Sequence, residues 1–359
     1  MGGECYNPAM SSWRGVLEQY REWLELPPGI PPVTLLEGNT PLLSIPHLAA
    51  DWNSNAAYVK LEGLNPTGSF KDRGMTAAVS VAVARGARTL ICASTGNTAA
   101  SAAAYAARAG LRCIVLIPEG QVAAGKLAGA RAYGAEVVQV QGSFDAALAL
   151  VQELAPLIPA ALVNSVNPDR LEGQATSAFE IVDHLGRAPD WLALPVGNAG
   201  NISALWLGFR RLAERRSIGS PRLLGAQAAG AAPLVIGREV ENPHTIASAI
   251  RIGRPARGQQ ALAAARESRG GIVSVPDSEI LRAQADLASE GIWVEPASAA
   301  GVAAARAEIE AGRIDIRGKT IVFVATGHGL KDPALYPHAD DPIVTVPADP
   351  GALMEAFRL

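Results

Sequence analysis

Short apolar runs alternate with longer, alanine-rich amphipathic stretches along most of this 359-residue chain. Strands are predicted at residues 56–62, 88–94, 112–118, 136–141, 190–196, 222–227, 271–275 and 320–326. Helices are predicted at 12–24, 71–85, 97–109, 121–132, 143–154, 170–185, 201–216, 277–290 and 298–311, with a loop and a short helix at 256–271. Strands that are apolar throughout are typical of parallel sheets covered by helices on both faces. The pattern predicts an α/β protein, and the length favours two domains.

The composition excludes several classes of protein. With 49% hydrophobic residues and a formal net charge of −3, the chain is too apolar and too weakly charged to be disordered as a whole. The 31 basic and 34 acidic residues leave no positive excess for nucleic acid or an anionic membrane. Aromatic residues make up 5%, which argues against a platform for stacking bases. We expect neither a nucleic-acid nor a membrane partner.

The three cysteines, Cys5, Cys92 and Cys113, are spaced too widely for a zinc site or a disulfide framework. The five histidines also lack metal-ligand spacing, so we expect no metal. The first residues lack the basic and then apolar pattern of a signal peptide. Apolar runs stay short of the roughly 18 residues that a membrane span requires. These features predict a cytoplasmic protein.

Lys71 lies in a loop beyond a strand, where ligands bind in open parallel sheets. The loop, GLNPTGSFKDRGM at 63–75, places Lys71 in the first turn of a helix. The positive end of the helix dipole disfavours a cation there. Lys71 is either an exposed lysine tolerated at a helix start or an amine kept neutral to form a Schiff base. Asp72 and Arg73 are better explained as structural partners.

Three further loops carry more polar residues and glycines than a structural turn needs. ASTGNTAAS at 93–101 offers hydroxyls, an amide and backbone N–H groups at a helix start, which suit a carboxylate or a phosphate. PVGNAGNIS at 195–203 can surround an anion with backbone N–H groups, because its glycines permit positive φ. In ATGHGLKDP at 325–333, the Thr326 hydroxyl stands where a strand leaves the sheet.

GQVAAGKL at 120–127 nearly fits the phosphate-binding motif of nucleoside triphosphatases, GxxxxGK[ST]. It fails at the last position, because Leu127 has no hydroxyl to bind Mg²⁺. The sequence contains neither a GxGxxG dinucleotide motif nor a GxSxG nucleophile elbow. A nucleotide-binding protein therefore remains only a distant alternative.

Taken together, these loops resemble the tryptophan-synthase-like (fold type II) family of pyridoxal-phosphate enzymes. A reactive lysine, a carboxylate loop, a phosphate cradle and a hydroxyl facing the ring nitrogen are what pyridoxal 5'-phosphate requires. The resemblance covers most of the chain, through LEGNTPL (36–42), NPTGSFKDRGM (65–75), STGNT (94–98), NSVNPDRLEGQ (164–174), PVGNAGN (195–201) and ATGHGLKDP (325–333). It implies two three-layer αβα domains with mostly parallel sheets and the cofactor in the cleft between them.

The resemblance also implies roles for individual residues. Lys71 would hold the cofactor as a Schiff base and later move protons. Asn97 would hydrogen-bond the ring hydroxyl, and Thr326 would face the pyridine nitrogen. The cofactor phosphate would bind to Gly197, Asn198, Ala199, Gly200 and Asn201. The substrate carboxylate would bind to the loop that contains Ser94, Thr95, Asn97 and Thr98.

Within the family, the motifs resemble those of the lyases that convert O-phospho-L-homoserine and water to L-threonine and phosphate. Asn164, Ser165 and Arg170 look like their pocket for the substrate phosphate, with Thr98 adding a hydroxyl. Serine/threonine dehydratases are the alternative, although they usually carry a run of glycines where this chain has GNAGN. A non-catalytic binding protein on the same scaffold is disfavoured by Lys71.

The resemblance further implies how the domains are arranged. Residues 1–74 and 161–359 would form a large cofactor-binding domain. Residues 75–160 would form a small mobile domain that closes on substrate and excludes water. A homodimer is the family expectation.

Overall fold

The computed structural model describes residues 12–119, 124–142, 144–333, 335–336, 341 and 343–358. The strands are β1 (Leu42–Ser44), β2 (Ala56–Leu61), β3 (Thr89–Ala93), β4 (Arg112–Pro118), β5 (Glu136–Val140), β6 (Ala160–Leu162), β7 (Trp191–Pro195), β8 (Arg222–Ala228), β9 (Gly271–Val275) and β10 (Thr320–Ala325). The helices are α1 (Val16–Gln19), α2 (Pro46–Asp51), α3 (Lys71–Ala84), α4 (Asn97–Ala109), α5 (Ala124–Ala132), α6 (Phe144–Leu154), α7 (Asp169–Leu185), α8 (Gly200–Arg216), α9 (Pro233–Ile236), α10 (Gly258–Glu267), α11 (Asp277–Ser289), α12 (Pro296–Glu310) and α13 (Pro350–Phe357).

The described strands form two sheets. The larger has the order β1-β2-β10-β7-β8-β9, and the smaller has the order β5-β4-β3-β6. In the larger sheet β1 pairs antiparallel with β2, and its other pairs are parallel. Every pair of the smaller sheet is parallel. The predicted α/β class with mostly parallel sheets is confirmed.

Helices cover both faces of each sheet. Along β10, Phe323 packs with α2, α11 and α12 on one face, while Val322 packs with α7, α8 and α10 on the other. This alternation follows from the two-residue period of a strand, and it explains why the strands are apolar throughout. The smaller sheet lies between α3, α4 and α5 on one face and α6 on the other. The two αβα sandwiches agree with the predicted fold class.

Two parts of the prediction need correction. The helix predicted at 12–24 is reduced to α1 and a 3-10 turn at Arg21–Trp23. Gly15 has φ +89°, which a helix cannot contain, and the segment bends so that Tyr20 and Trp23 both pack on Phe179. The three-residue strands β1 and β6 were not predicted, because so short a run carries no pattern. The boundaries of the small domain stay a prediction; the strands of the smaller sheet fall between residues 89 and 162.

Helices α3 and α7 cross closely near their first turns. A Cβ on Gly173 would lie 1.8 Å from the carbonyl oxygen of Arg73, so only glycine fits at this crossing. Below the crossing, Lys60, Glu62, Arg73 and Glu180 form a buried charge network that joins β2, α3 and α7. The close crossing brings the amino ends of α3 and α7 together, and these ends carry Lys71 and Arg170.

Candidate active site

Lys71 is the first residue of α3 and is partly buried. Its Nζ lies 3.9 Å from the centroid of the Phe70 ring. No described residue forms an ion pair with this amine. Burial first, and then the positive charges of Arg170 and Lys331, lower the pKa of Lys71 to about 7, against the opposing charge of Glu295. A large share of the lysine is therefore neutral near pH 7, as a nucleophilic amine requires.

Thr326 follows β10 and lies beside the lysine segment. The Phe70 N–H donates to the Thr326 carbonyl oxygen at 3.0 Å, and Ser69 forms an antiparallel bridge with Gly327. The Thr326 hydroxyl lies 3.0 Å from the Ser298 hydroxyl, and both are buried. Ser298 also accepts from the Gly327 N–H at 2.8 Å. The backbone itself thus brings the predicted ring-nitrogen residue next to the predicted lysine.

Asn97, the first residue of α4, is paired with a carboxylate that the sequence did not suggest. Its Nδ2 lies 3.1 Å from each carboxylate oxygen of Glu295. Glu295 precedes α12, is buried, and donates its backbone N–H to the Gly327 carbonyl oxygen at 3.1 Å. Burial raises the pKa of Glu295, while its contact with Asn97 and the charge of Lys71 oppose that change. A titratable carboxylate therefore lies among Lys71, Asn97 and Gly327.

The turn before α8 has three features that would suit an anion. Ala199 takes the left-handed conformation (φ 63°), which costs a non-glycine residue energy and is common where a backbone must face a ligand. Gly197 packs against the backbone of Ile250, whereas a Cβ on Gly200 would meet only Gln174, at 3.9 Å. Asn201 is buried, and its Nδ2 has no hydrogen-bond partner. Open space, an unpartnered donor and the start of a 17-residue helix together suit a phosphate.

Arg170, in the first turn of α7, is 2% exposed. Its Nη1 donates to the Val163 carbonyl oxygen at 3.2 Å, its Nε has no partner, and no described carboxylate pairs with it. Burial lowers the pKa of this guanidinium to about 10. Since a buried charge without a counter-ion is costly, the arrangement favours an anion from outside the chain.

The remaining predicted residues lie around the carboxyl end of the smaller sheet. Asn164 is buried, and its amide both donates to and accepts from the Ala93 backbone, at 2.8 and 3.0 Å. Ser94 accepts from the Gly96 and Ala99 N–H groups, so its hydroxyl caps the start of α4. Thr95, Thr98 and Ser165 are partly buried. The contacts of these residues with a substrate stay predictions.

These geometries bring the predicted residues together from both sheets. Ser94 and Asn164 follow β3 and β6, while Thr326 and the 197–201 turn follow β10 and β7.

Residues 33–327 match the family model described as "Pyridoxal-phosphate dependent enzyme". The chain is 56% identical to the threonine synthase of Halalkalibacterium halodurans over 325 residues, which cover 90% of this chain and 91% of that protein.

The chain belongs to the threonine synthases of the pyridoxal-phosphate dependent enzyme family. It is also 52% identical to the threonine synthase of Mycobacterium tuberculosis over 350 residues, or 97% of each chain. Among solved structures, maize serine racemase has the same fold, with a TM-score of 0.71 at 21% identity over 96% of this chain and 94% of that one. The threonine synthases and the family model together make the chain a pyridoxal-phosphate-dependent lyase.

The residues present fit this cofactor. The unpartnered Asn201 amide and the open space at Gly200 offer a place for its phosphate, and Lys71 offers an amine that is partly neutral. Thr326 and Asn97 would then adjoin its ring. The Thr326 hydroxyl would offer the ring nitrogen a neutral partner in place of a carboxylate.

Sequence reasoning missed Glu295, Ser298 and Gln174. Glu295 and Ser298 belong to the run WVEPASAA, where a carboxylate directly before a proline at a helix start was the available signal. Gln174 is buried between α3 and α8, with an unpartnered Oε1. Its signal was weaker, because a single amide inside a helix is usually structural.

The cysteines and the two residues after Lys71 have structural roles wherever the structure describes them. Cys92 and Cys113 are buried free thiols that pack in the core of the smaller sheet, while Cys5 lies outside the described residues. Asp72 accepts from the Thr67 and Ser101 hydroxyls, and Arg73 belongs to the buried charge network, so both are structural partners as predicted. The nucleotide-like motif at 120–127 lies partly outside the described residues.

Two kinds of feature are absent from the part of the chain that the structure describes. Its helices include none long and apolar enough to cross a bilayer. It also shows no group of three or more metal-ligating side chains.

Proposed function

We propose that this chain converts O-phospho-L-homoserine and water to L-threonine and phosphate. The observation that carries the proposal is Arg170, a buried guanidinium without a carboxylate partner whose charge acts on Lys71. A second phosphate site near the reactive amine is what a substrate with a phosphate leaving group requires. Pyridoxal phosphate, when bound, withdraws electrons from the substrate and so makes its Cα and Cβ protons acidic.

Lys71 performs the proton transfers in this proposal. Its lowered pKa leaves an amine that can take a proton from the substrate Cα near pH 7, and then one from Cβ. Glu295 lies close enough for its charge to act on Lys71, so it helps to set the balance between the neutral and charged amine. After phosphate leaves Cγ, the hydroxyl of water adds at Cβ and its proton goes to the phosphate. Lys71 returns the two protons that it removed, one to Cγ, which becomes the methyl carbon, and one to Cα.

Two anion sites orient the substrate. The start of α4, with Thr95, Asn97, Thr98 and the backbone near Gly96, receives the substrate carboxylate, since a Cβ at Gly96 would meet only open space. Arg170 and Ser165, with the Asn164 segment, receive the phosphate. A guanidinium suits this role because its planar fork matches phosphate oxygens. Both sites must be filled before Lys71 faces the protons it removes.

The deciding experiment measures phosphate release from O-phospho-L-homoserine by the holoenzyme, and 2-oxobutyrate formation from L-threonine. We expect rapid phosphate release and little 2-oxobutyrate. Arg170→Ala should lower kcat/KM for O-phospho-L-homoserine about 100-fold, since a hydrogen bond to a charged group contributes about 1.5–3 kcal/mol. Cofactor affinity should change less than about twofold. Arg216→Ala, which removes an exposed arginine paired with Asp183, is the matched control.

Faster turnover of L-threonine than of O-phospho-L-homoserine would favour a serine/threonine dehydratase instead.

We also propose that residues 75–160 close over the bound substrate, that the enzyme is a homodimer, and that it acts in the cytoplasm. Sedimentation velocity at micromolar concentration tests the dimer.

A further inference from the structure

Arg257 lies between two anion sites that the sequence treated as separate. It directly precedes α10, and its backbone N–H donates to the Asn198 carbonyl oxygen at 3.2 Å. The neighbouring Ala256 N–H donates to Asn198 Oδ1 at 3.4 Å. This segment therefore lies against the turn proposed to bind the cofactor phosphate.

The Arg257 side chain extends to the loop between β6 and α7. Its Nε donates to the Ser165 carbonyl oxygen at 2.8 Å, and its Nη2 donates to those of Val166 and Asn167 at 3.0 and 3.3 Å. Its Nη1 donates to Gln260 Oε1 at 2.9 Å. One partly buried side chain thus holds the loop that carries Ser165 and leads to Arg170.

The electrostatics of this side chain are unusual. All four acceptors are neutral oxygens, and no described carboxylate forms an ion pair with Arg257. Its charge adds to the effect of burial in lowering the pKa of Arg170, so the two guanidinium groups lie close enough to repel each other. Two cations held together without a carboxylate between them favour a doubly charged anion.

We propose that Arg257 is a positioning residue for the substrate phosphate. Its hydrogen bonds hold the 165–167 loop against the 197–201 turn, and its guanidinium places a second positive charge beside Arg170. This inference rests on the proposed function. Lysine would keep the charge but could not reach three carbonyl oxygens at once, because it lacks the planar fork. Geometry and charge can therefore be separated by substitution.

The test compares Arg257→Gln and Arg257→Lys with the wild-type holoenzyme. Arg257→Gln should raise KM for O-phospho-L-homoserine about tenfold and weaken inhibition by inorganic phosphate by a similar factor, with kcat changed less than about threefold. Arg257→Lys should recover part of the phosphate inhibition. L-Threonine binding, followed through the cofactor absorbance, should change less than about twofold, because L-threonine carries no phosphate.

Arg254→Gln is the matched control, since Arg254 is exposed on the same segment and pairs with Glu239. Weakened L-threonine binding in Arg257→Gln, in parallel with phosphate, would show a merely structural role and overturn the proposal. Unchanged KM and phosphate inhibition would also overturn it. A wild-type enzyme that releases no phosphate from O-phospho-L-homoserine would instead contradict the proposed function.

Discussion

The buried charge network and the active site each contain one lysine and one arginine, but they treat these charges differently. In the network, Arg73 makes paired contacts with Glu62 and Glu180 at 2.6–2.8 Å, and Lys60 donates to Glu180 at 2.6 Å. In the active site, Lys71 and Arg170 have no ion pair with a described carboxylate. Arg73 and Arg170 are nevertheless about equally buried, at 1% and 2% exposed. The presence of an ion-pair partner, and not the degree of burial, therefore distinguishes a structural charge from a charge that is available to bind a ligand.

The network is electrostatically complete. Although burial opposes it, Arg73 and Lys60 lower the pKa of Glu180 to about 2. Two cations and two anions then neutralise each other, and hydroxyl groups of Thr40, Thr176 and Ser177 satisfy the remaining contacts. Such a network needs no ligand, whereas in the active site the charge of Arg170 adds to burial in lowering the pKa of Lys71.

The largest effect is expected for Lys71→Ala. Activity should fall at least about 1,000-fold, the scale seen when a nucleophile is removed. The visible absorbance of the bound cofactor should be lost with it. The free energy of unfolding of the apoprotein should change by less than about 1 kcal/mol, because no ion pair is broken. A variant that keeps the visible absorbance would contradict the assignment of Lys71.

The next effect concerns stability and contrasts the two arginines directly. Arg73→Met should lower the free energy of unfolding by about 3–5 kcal/mol, because it leaves buried Glu62 without its ion-pair partner and removes one of the two cations paired with Glu180. Arg170→Met should lower it by less than about 1 kcal/mol or raise it, since it removes an uncompensated charge. Urea denaturation of the apoproteins measures both values. Equal decreases in the free energy of unfolding would mean that the burial of each arginine, and not its ion pairing, determines the effect of its removal.

A pH dependence follows from the lowered pKa of Lys71. The neutral fraction of the amine rises with pH, so attachment of pyridoxal phosphate to the apoenzyme should speed up through about pH 7 and then level off. Stopped-flow absorbance measures the rate at each pH. A rate that keeps rising to pH 10 would show a lysine with its ordinary pKa.

The smallest effect is expected for Glu295→Gln. The Glu295 charge favours the protonated form of Lys71, so its removal should move the midpoint of the attachment profile to lower pH. The amide keeps the size of the side chain and a hydrogen bond with Asn97. An unchanged midpoint would show that Glu295 is already protonated in the wild-type protein. Glu310→Gln, at the exposed last position of α12, is the matched control.

The sequence predicted the eight longer strands, most of the helices and the four loops that surround the site. These features depend on local patterns, namely apolar runs, helix starts and glycine-rich turns. It did not reveal β1, β6, Glu295, Ser298 or Arg257. A three-residue strand is too short to show a periodic pattern. The sequence also does not show whether a charged side chain forms an ion pair, is solvated or contacts a ligand.

By itself, the amino-acid sequence determined the α/β class, the position of Lys71 at a helix start and the resemblance that names the cofactor. Only the tertiary structure decided which charges are neutralised. Arg73 and Arg170 are both arginines near helix starts; the sequence assigned them different roles, but it could not show which carboxylates neutralise either charge. Their partners come from segments distant along the chain, such as Glu180 for Arg73, and electrostatic compensation depends on distances that folding alone sets.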